Sequence, residues 1–266
     1  MQTFAVATLA ALAGVSAYTV SDTTMERHYL NYLAEHGKSY ATKEEYLFRL
    51  AEFTRKMKIV EEHNSKNTDD ATVAVNHMSD WTDEEYKATL GYKGKQARNA
   101  TVFTGSNDIP ASVDWVTAGA VTPVKNQGQC GSCWAFAAIG AIENQYHALT
   151  GSLTLFSEQY LVDCDNYDGG CNGGWPSNTF NWIASNGIIK SDVLKYAGSQ
   201  GSCDSSLQKY EYKIVNGFES FKEGQTQSDW DALLAKGPLV VAMFASFEGF
   251  GMYRPDTFEP IMPQKC

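Results

Sequence analysis

Apolar residues recur at helical spacing from Thr23 to about Glu35, at Met25, Tyr29, Tyr32 and Leu33, and Gly37 follows where a left-handed cap would end the run. The pattern predicts a short helix. A second run extends from Lys43 to Asn64, about 22 residues and so about 33 Å of helix. Within it Glu45, Arg49, Phe53, Lys56, Val60 and Asn64 fall on one stripe, with Glu45 and Arg49 able to pair one turn apart. Taken alone, that stripe fits an ordinary amphipathic surface helix. The segment Ala74 to Asp80 reads as a short strand, and Thr82-Asp83-Glu84-Glu85 as a helix start. Residues 91–108 hold glycines and polar side chains without periodicity and read as an extended linker, which sets a boundary near Asp108 and Ile109.

Beyond the boundary the pattern changes. A polar loop from Pro123 to Gln129 precedes a helix from Ser132 to Thr150 that is apolar around most of its circumference, as a central buried helix would be. Ser157-Glu158 opens a further helix, and Pro176 to Asn186 forms a third, closed by Gly187. From about Tyr212 the runs become strand-like, at Tyr212–Phe218 and Leu239–Phe244, with a short helix Ser228–Lys236 between them. Helical first and β-rich second, residues 109–266 predict two subdomains with a groove between them.

Composition narrows the function. The 266 residues carry a formal charge of −10, which excludes nucleic acid or an anionic membrane as the main partner, since both require clustered Lys and Arg. The acidity is uneven: residues 109–266 hold 9 basic and 16 acidic groups, residues 18–108 hold 12 and 15. Residues 1–17 are uncharged, rich in Ala, Leu and Val, and end in Val15-Ser16-Ala17, so they read as a secretory signal rather than a membrane anchor. No later stretch is long and apolar enough to span a bilayer. An oxidising route, lysosomal or extracellular, follows. Asn99-Ala100-Thr101 is the one N-glycosylation sequon.

All six cysteines (Cys130, Cys133, Cys164, Cys171, Cys203, Cys266) lie after residue 129. Cys133 falls in the first turn of the apolar helix, where the macrodipole favours a thiolate, the attacking species of covalent cysteine catalysis. The Cys130-Gly131-Ser132-Cys133 spacing also admits a zinc site or a redox pair. A zinc site lacks a second ligand pair, and a thioredoxin-like pair would follow a hydrophobic strand rather than a Gly/Gln loop.

The segment Cys130-Gly131-Ser132-Cys133-Trp134 resembles the papain and cathepsin signature. Val113-Asp114-Trp115, the run Gly119 to Gly128, Ser157-Glu158-Gln159, Asp163-Cys164, Cys171-Asn172-Gly173-Gly174 and Gly237-Pro238 resemble further landmarks of that family, in its order. The Glu45 to Asn64 stripe resembles the ERFNIN helix of cathepsin L-like propeptides, with Lys56 for Asn and Val60 for Ile. Asn76-x-Met78-x-Asp80 resembles the motif after it, with Met for Phe.

The resemblance implies an α+β, papain-like two-subdomain fold, a helical subdomain around a central helix beside a β-barrel-like one, preceded by a helical propeptide. The divisions are a signal at 1–17, an inhibitor propeptide at 18–90, a linker at 91–108 and a peptidase domain at 109–266. Cys133 would be the nucleophile. The side-chain amide of Gln127 and the backbone N–H of Cys133 would form the oxyanion hole. Gly173 and Gly174 would let a substrate backbone approach, and Trp175, Pro176 and Ala242 would line an apolar pocket. Disulfides would join Cys130 to Cys171 and Cys164 to Cys203, leaving Cys133 free and Cys266 without a partner. The partners would be protein and peptide substrates and the chain's own propeptide, acting on a monomer, with neither cofactor nor metal.

The family places its His and Asn about 130–150 residues after the nucleophile, a distance that runs to the end of these 266 residues and past it. The one histidine after Cys133 is His147, 14 residues along the same helix and so about 21 Å away. The Asn-Ser-Trp-Gly segment of the family is also absent. The expectation is therefore a protease precursor with its second subdomain incomplete and its activity reduced to a residue of binding and oxyanion stabilisation. Two other readings remain open: a non-catalytic inhibitor of related proteases built on residues 18–108, and a redox role for Cys130 and Cys133. The first reading predicts that the message continues beyond the Cys266 codon into a His-Ala and an Asn-Ser-Trp-Gly segment. Sequencing the transcript checks this, and a stop codon at that point counts against it.

Overall fold

Among the helices that the sequence pattern predicts, the long one runs a little further than its apolar stripe. In the computed structural model, which describes residues 20–66, 72–94, 101–102, 109–220, 225–246 and 249–252, α1 covers Val20–Glu35 and α2 covers Lys43–Lys66. The signal-like residues 1–17, Asn99 of the sequon, most of the linker and Cys266 lie outside the described residues. The chain divides into two units, one of residues 1–81 and 252–266, the other of 82–251.

In the first unit the α2 stripe has separate tasks for its members. Phe53 is buried against Tyr29 and Tyr32, at centroid distances of 5.2 and 4.8 Å. Arg49 bonds Glu45 at 2.7 Å through Nε and donates to the Asp80 carbonyl at 3.1 Å. Asn64 clamps the Val73 backbone, accepting from its N–H at 2.9 Å and donating to its carbonyl at 2.8 Å. The fully buried Asp80 carboxylate accepts from the Tyr32 hydroxyl at 2.9 Å, from the Tyr40 hydroxyl at 2.5 Å and from Lys38. The strand expected from Ala74 to Asp80 does not form. Asn76 Oδ1 accepts from Met78 N–H, Ser79 Oγ from Asn76 N–H, and Ser79 N–H donates to the Asn76 carbonyl, so these polar residues close a turn locally and replace a ladder.

The second unit begins with α3, Asp83–Ala88, which starts in a reciprocal capping box between Thr82 and Glu85. β1, Thr101–Val102, pairs in parallel with a strand near the other end of the unit. Then come α4, Cys133–Thr150, α5, Glu158–Cys164, and α6, Pro176–Asn186. Gly151 closes α4 at φ +71°, and the Ser157 hydroxyl caps α5 on the Tyr160 N–H. β2, Glu219–Ser220, is the partner of β1, and α7, Gln227–Leu234, follows it. Trp134, Ile139, Phe156, Leu161, Ile183 and Ile188 form the core where α4 meets α5 and α6.

Two expectations are corrected here. The last turn of α4 is not buried: Leu149 is 81% exposed, while Glu143 and Asn144 are buried. The strands expected at Tyr212–Phe218 and Leu239–Phe244 do not form among the described residues. Tyr212 makes one antiparallel bridge to Ile188, and Val241 and Phe244 stand 65% and 73% exposed. Alternation creates a strand only where another strand satisfies its backbone, and these segments have no such neighbour among the described residues.

Glu143 is buried because it has a cation. Lys125 Nζ lies 2.7 Å from Glu143 Oε1 and 2.5 Å from Glu158 Oε1, and the Thr122 hydroxyl and Phe156 N–H complete the Glu143 shell. Burial pushes the Glu158 carboxyl up, and Lys125 opposes it. Lys125→Met strands two carboxylates in the interior. It is expected to lower unfolding stability at pH 7 by about 3–5 kcal/mol. The loss should shrink toward pH 4 as Glu158, whose carboxyl burial pushes up, takes up a proton. Denaturant melts across that range check both the size and the sign.

Candidate active site

Cys133 is the first residue of α4, following a loop whose course is set by a covalent bond. Cys130 is joined to Cys171, Gly131 N–H donates to the Cys171 carbonyl at 2.9 Å, and Trp134 Nε1 donates to the Gly170 carbonyl at 3.1 Å. These links hold the start of α4 beside the loop that carries Gly173 and Gly174. The second disulfide joins Cys164 at the end of α5 to Cys203. With Cys130 bonded elsewhere, Cys133 has no redox partner in the Cys-x-x-Cys. It is the free cysteine among the described residues. No group of acidic, His or Cys side chains there fits a metal.

The Cys133 thiol is partly exposed, and burial pushes its titration up. The amides of Gly91, Trp134 and Cys133 itself only partly offset that. The helix end therefore does not depress the thiol below its ordinary value, contrary to the reading of the sequence. The cause is desolvation by burial, which outweighs the dipole, and a neighbouring chain segment passes beside the thiol. His147, the one histidine of residues 82–251, sits in the last turn of α4. It is about 21 Å of helical rise from the sulfur.

That neighbouring segment is Thr89–Lys93. Gln127 Nε2 donates to the Thr89 carbonyl at 2.9 Å and to the Cys130 carbonyl at 2.8 Å. Gly174 N–H donates to the Gly91 carbonyl at 2.8 Å, and the Gly174 carbonyl accepts from Lys93 N–H at 3.2 Å. Both backbone groups of Gly174 are thus taken, in a parallel bridge centred on Tyr92. The Tyr92 ring packs on Trp175 at 5.0 Å. Trp175, Pro176 and Ala242 lie along one cleft of about 900 Å³, together with Tyr92, Phe180 and Leu239.

The glycines have distinct reasons. A Cβ on Gly91 would lie 1.8 Å from the Gly131 carbonyl oxygen, and one on Gly173 would lie 2.3 Å from the Gly91 carbonyl oxygen. Only bare backbone lets the segment lie this close to α4. Gly174 differs: the space of its missing Cβ is filled by the Asp168 side chain at 2.7 Å.

Several contributors were not legible as site residues. Tyr196 donates to the Gln127 carbonyl at 2.8 Å and lies 2.7 Å from the buried Ser132 hydroxyl, so it ties the Gln127 backbone to the residue before Cys133. Gly91 reads from the sequence as linker, and Asp168 is not singled out there. Their roles arise from contacts distant in sequence, and no local pattern marks them.

A family profile described as papain family cysteine protease matches residues 109–265, and one described as cathepsin propeptide inhibitor domain matches 29–86. Cathepsin L2 of Homo sapiens is 37% identical over 259 residues, 92% of this chain and 76% of that protein. Procathepsin L of Rattus norvegicus is 36% identical over 243 residues, 87% of this chain and 71% of its own. Among solved structures, digestive procathepsin L 3 of the Tenebrio molitor larval midgut superposes with a TM-score of 0.70 at 31% identity, covering 79% of this chain and 70% of that one. Recombinant stem bromelain precursor gives 0.61 at 33% identity, covering 69% and 61%. The α+β papain-like fold is shared with these relatives, although short strands are few among the residues described here.

Gly91→Ala tests how the segment is held. The added methyl has no room against Gly131, so residues 89–93 should leave the cleft. Alkylation of Cys133 by iodoacetamide, followed by mass spectrometry, is then expected to quicken by about tenfold or more, an effect worth about 1.4 kcal/mol. An unchanged rate refutes the packing argument.

Proposed function

The chain belongs to the papain family of cysteine proteases, as a precursor with a cathepsin propeptide inhibitor domain, and from that premise we propose that Cys133 is the nucleophile of a peptide-bond hydrolase whose cleft is filled by its own residues 89–93. The observation that carries the reading is the occupation of Gln127 Nε2 and of both Gly174 backbone groups by a polypeptide passing over Cys133. A substrate backbone needs the same partners.

In the proposed reaction the Cys133 thiolate attacks a peptide carbonyl, and the sulfur–carbon bond forms as the carbonyl oxygen gains charge. Gln127 Nε2 and the Cys133 N–H face that oxygen, in the place where Gln127 now meets the Thr89 carbonyl. The carbon–nitrogen bond breaks, the amine leaves with a proton, and water hydrolyses the acyl-enzyme. Gly173 and Gly174 hold the substrate main chain, and Trp175, Pro176 and Ala242 flank the side chain before the one at the cut. The proton acceptor of a full catalytic unit is a histidine, and His147 does not reach the sulfur. The enzyme works as a monomer in the secretory route, lysosomal or extracellular. Two disulfides support that placement, since such bonds persist in oxidising compartments. No helix among the described residues is long and apolar enough to cross a membrane.

Acylation by an activated peptidyl ester tests the nucleophile. The full chain, after acid treatment and removal of residues 89–93, is expected to gain one acyl mass on Cys133, and Cys133→Ser none. In the intact chain, alkylation of Cys133 by iodoacetamide should keep rising in rate through pH 8.5, because burial pushes the thiol up. No adduct, or an adduct on another residue, overturns the assignment. A plateau already reached at pH 6 would show an ion-paired thiolate and overturn the titration.

A further inference from the structure

The loop that carries Gly173, Gly174 and Trp175 is held from behind by two carboxyl groups that the proposed reaction does not use. Asp168 Oδ1 accepts from the Trp175 N–H at 2.8 Å and from Asn178 Nδ2 at 3.2 Å, and Thr179 Oγ1 lies 3.4 Å from Oδ2. Its side chain also packs into the space that a Gly174 Cβ would fill. Asp165 follows the disulfide-bonded Cys164, and its N–H donates to the Leu161 carbonyl at 2.9 Å, so its backbone is anchored to α5. Asp165 is 4% exposed. Its Oδ1 accepts from Tyr167 N–H at 2.9 Å, while its Oδ2 is buried and meets no donor. The Asp168 carboxyl lies beside that of Asp165, close enough for each to act on the other's charge.

Two carboxylate oxygens repel at that range unless a proton lies between them. We propose that Asp165 and Asp168 share one proton, carried on Asp165 Oδ2 and donated to Asp168, and that the pair is a positioning device for the Gly173–Trp175 backbone. The placement on Asp165 follows from the partners. Asp168 already receives an N–H and two side-chain donors, which favour its charged form, whereas Asp165 Oδ2 has nothing else to bond.

No cation supplies the compensation instead. Facing the pair from α6 are Asn178 and Thr179, both neutral. On the loop itself stands Tyr167, a phenol 54% exposed, and from α5 comes Asp163, whose Oδ1 is held by Gln159 Nε2 and Gly201 N–H. From the 89–93 segment Lys93 lays its stem over Gly173. No Lys, Arg or His among the described residues bonds either carboxyl. Burial accordingly pushes Asp165 up to about 7, and Asp168 upward as well. A carboxyl raised in the folded state contributes stability that is complete below its unfolded value of about 4 and is lost as pH rises through about 7. The loop edge is therefore firm in acid. As the proton leaves to solvent at higher pH, Asp168 is pushed from Asp165 and draws on the Trp175 N–H and on Gly174.

This inference rests on reading Gly174 as the edge that holds a peptide, and its test is independent of turnover. Amide exchange of Gly174 and Trp175 is read by NMR on the full chain from pH 5 to 8 and corrected for the intrinsic pH dependence. Protection should fall by about tenfold or more, as it does when an opening that releases the proton becomes tenfold easier for each pH step above the value in the folded state. Asp165→Asn supplies a permanent N–H donor to Asp168. It is expected to keep the protection and abolish its pH dependence, whereas Asp165→Ala should lower protection at every pH. Infrared difference spectra of the unaltered chain should show a protonated carboxyl that titrates near neutrality, a readout that stands even if a variant fails to fold. Protection that is flat with pH, or the absence of that carboxyl at pH 6, overturns the proposal. Failure of Cys133 acylation with the carboxyl titration intact would sink the functional reading alone.

Discussion

The bond between Cys130 and Cys171 is the constraint on which the site depends. It closes a loop of 41 residues, worth about 4 kcal/mol of chain entropy in the unfolded state. More important is where it acts, three residues before the thiol and two before the glycine edge. With Gly131 N–H on the Cys171 carbonyl and Trp134 on the Gly170 carbonyl, the start of α4 and the loop at 170–174 move as one piece. Cys133 and the Gly173–Gly174 edge are thereby held at a single spacing, as the proposed reaction at one peptide bond requires.

The interior behind that piece is unusually polar. Lys125 sits between Glu143 and Glu158, Asp165 against Asp168, and Tyr196 between Ser132 and the Gln127 backbone. Each of these polar groups is at least partly buried beside its partner, so each fixes the geometry of a loop that apolar packing alone would leave free to slide. The loops so fixed are the ones at 122–128 and 165–175, which carry Gln127 and Gly174. The polar groups lie where position matters, and the apolar core of Trp134, Ile139, Leu161 and Ile183 supplies the bulk of the burial.

The segment at residues 89–93 uses the same features. It lies over the thiol because Gly91, Gly131 and Gly173 carry no side chains, and it satisfies the amide of Gln127 and both polar groups of Gly174. Burial also raises the cost of the Cys133 thiolate.

The helices and their caps were legible along the chain because each rests on contacts within a few residues. The box of Thr82 and Glu85, the Ser157 cap, Gly151 after α4 and the α2 stripe with Glu45 on Arg49 are all of this kind. The papain-like motifs added the order of the parts. Tertiary structure alone decided what depends on groups far apart in sequence. Ala74 to Asp80 turns instead of extending, because Asn76 and Ser79 satisfy their own backbone before any strand reaches them. Tyr212–Phe218 and Leu239–Phe244 keep a strand's alternation without forming one, because a ladder needs a second chain segment. Cys133 titrates upward although it opens a helix, because folding buries the thiol. Asp165 keeps its proton because Asp168, and no cation, is what folding placed beside it.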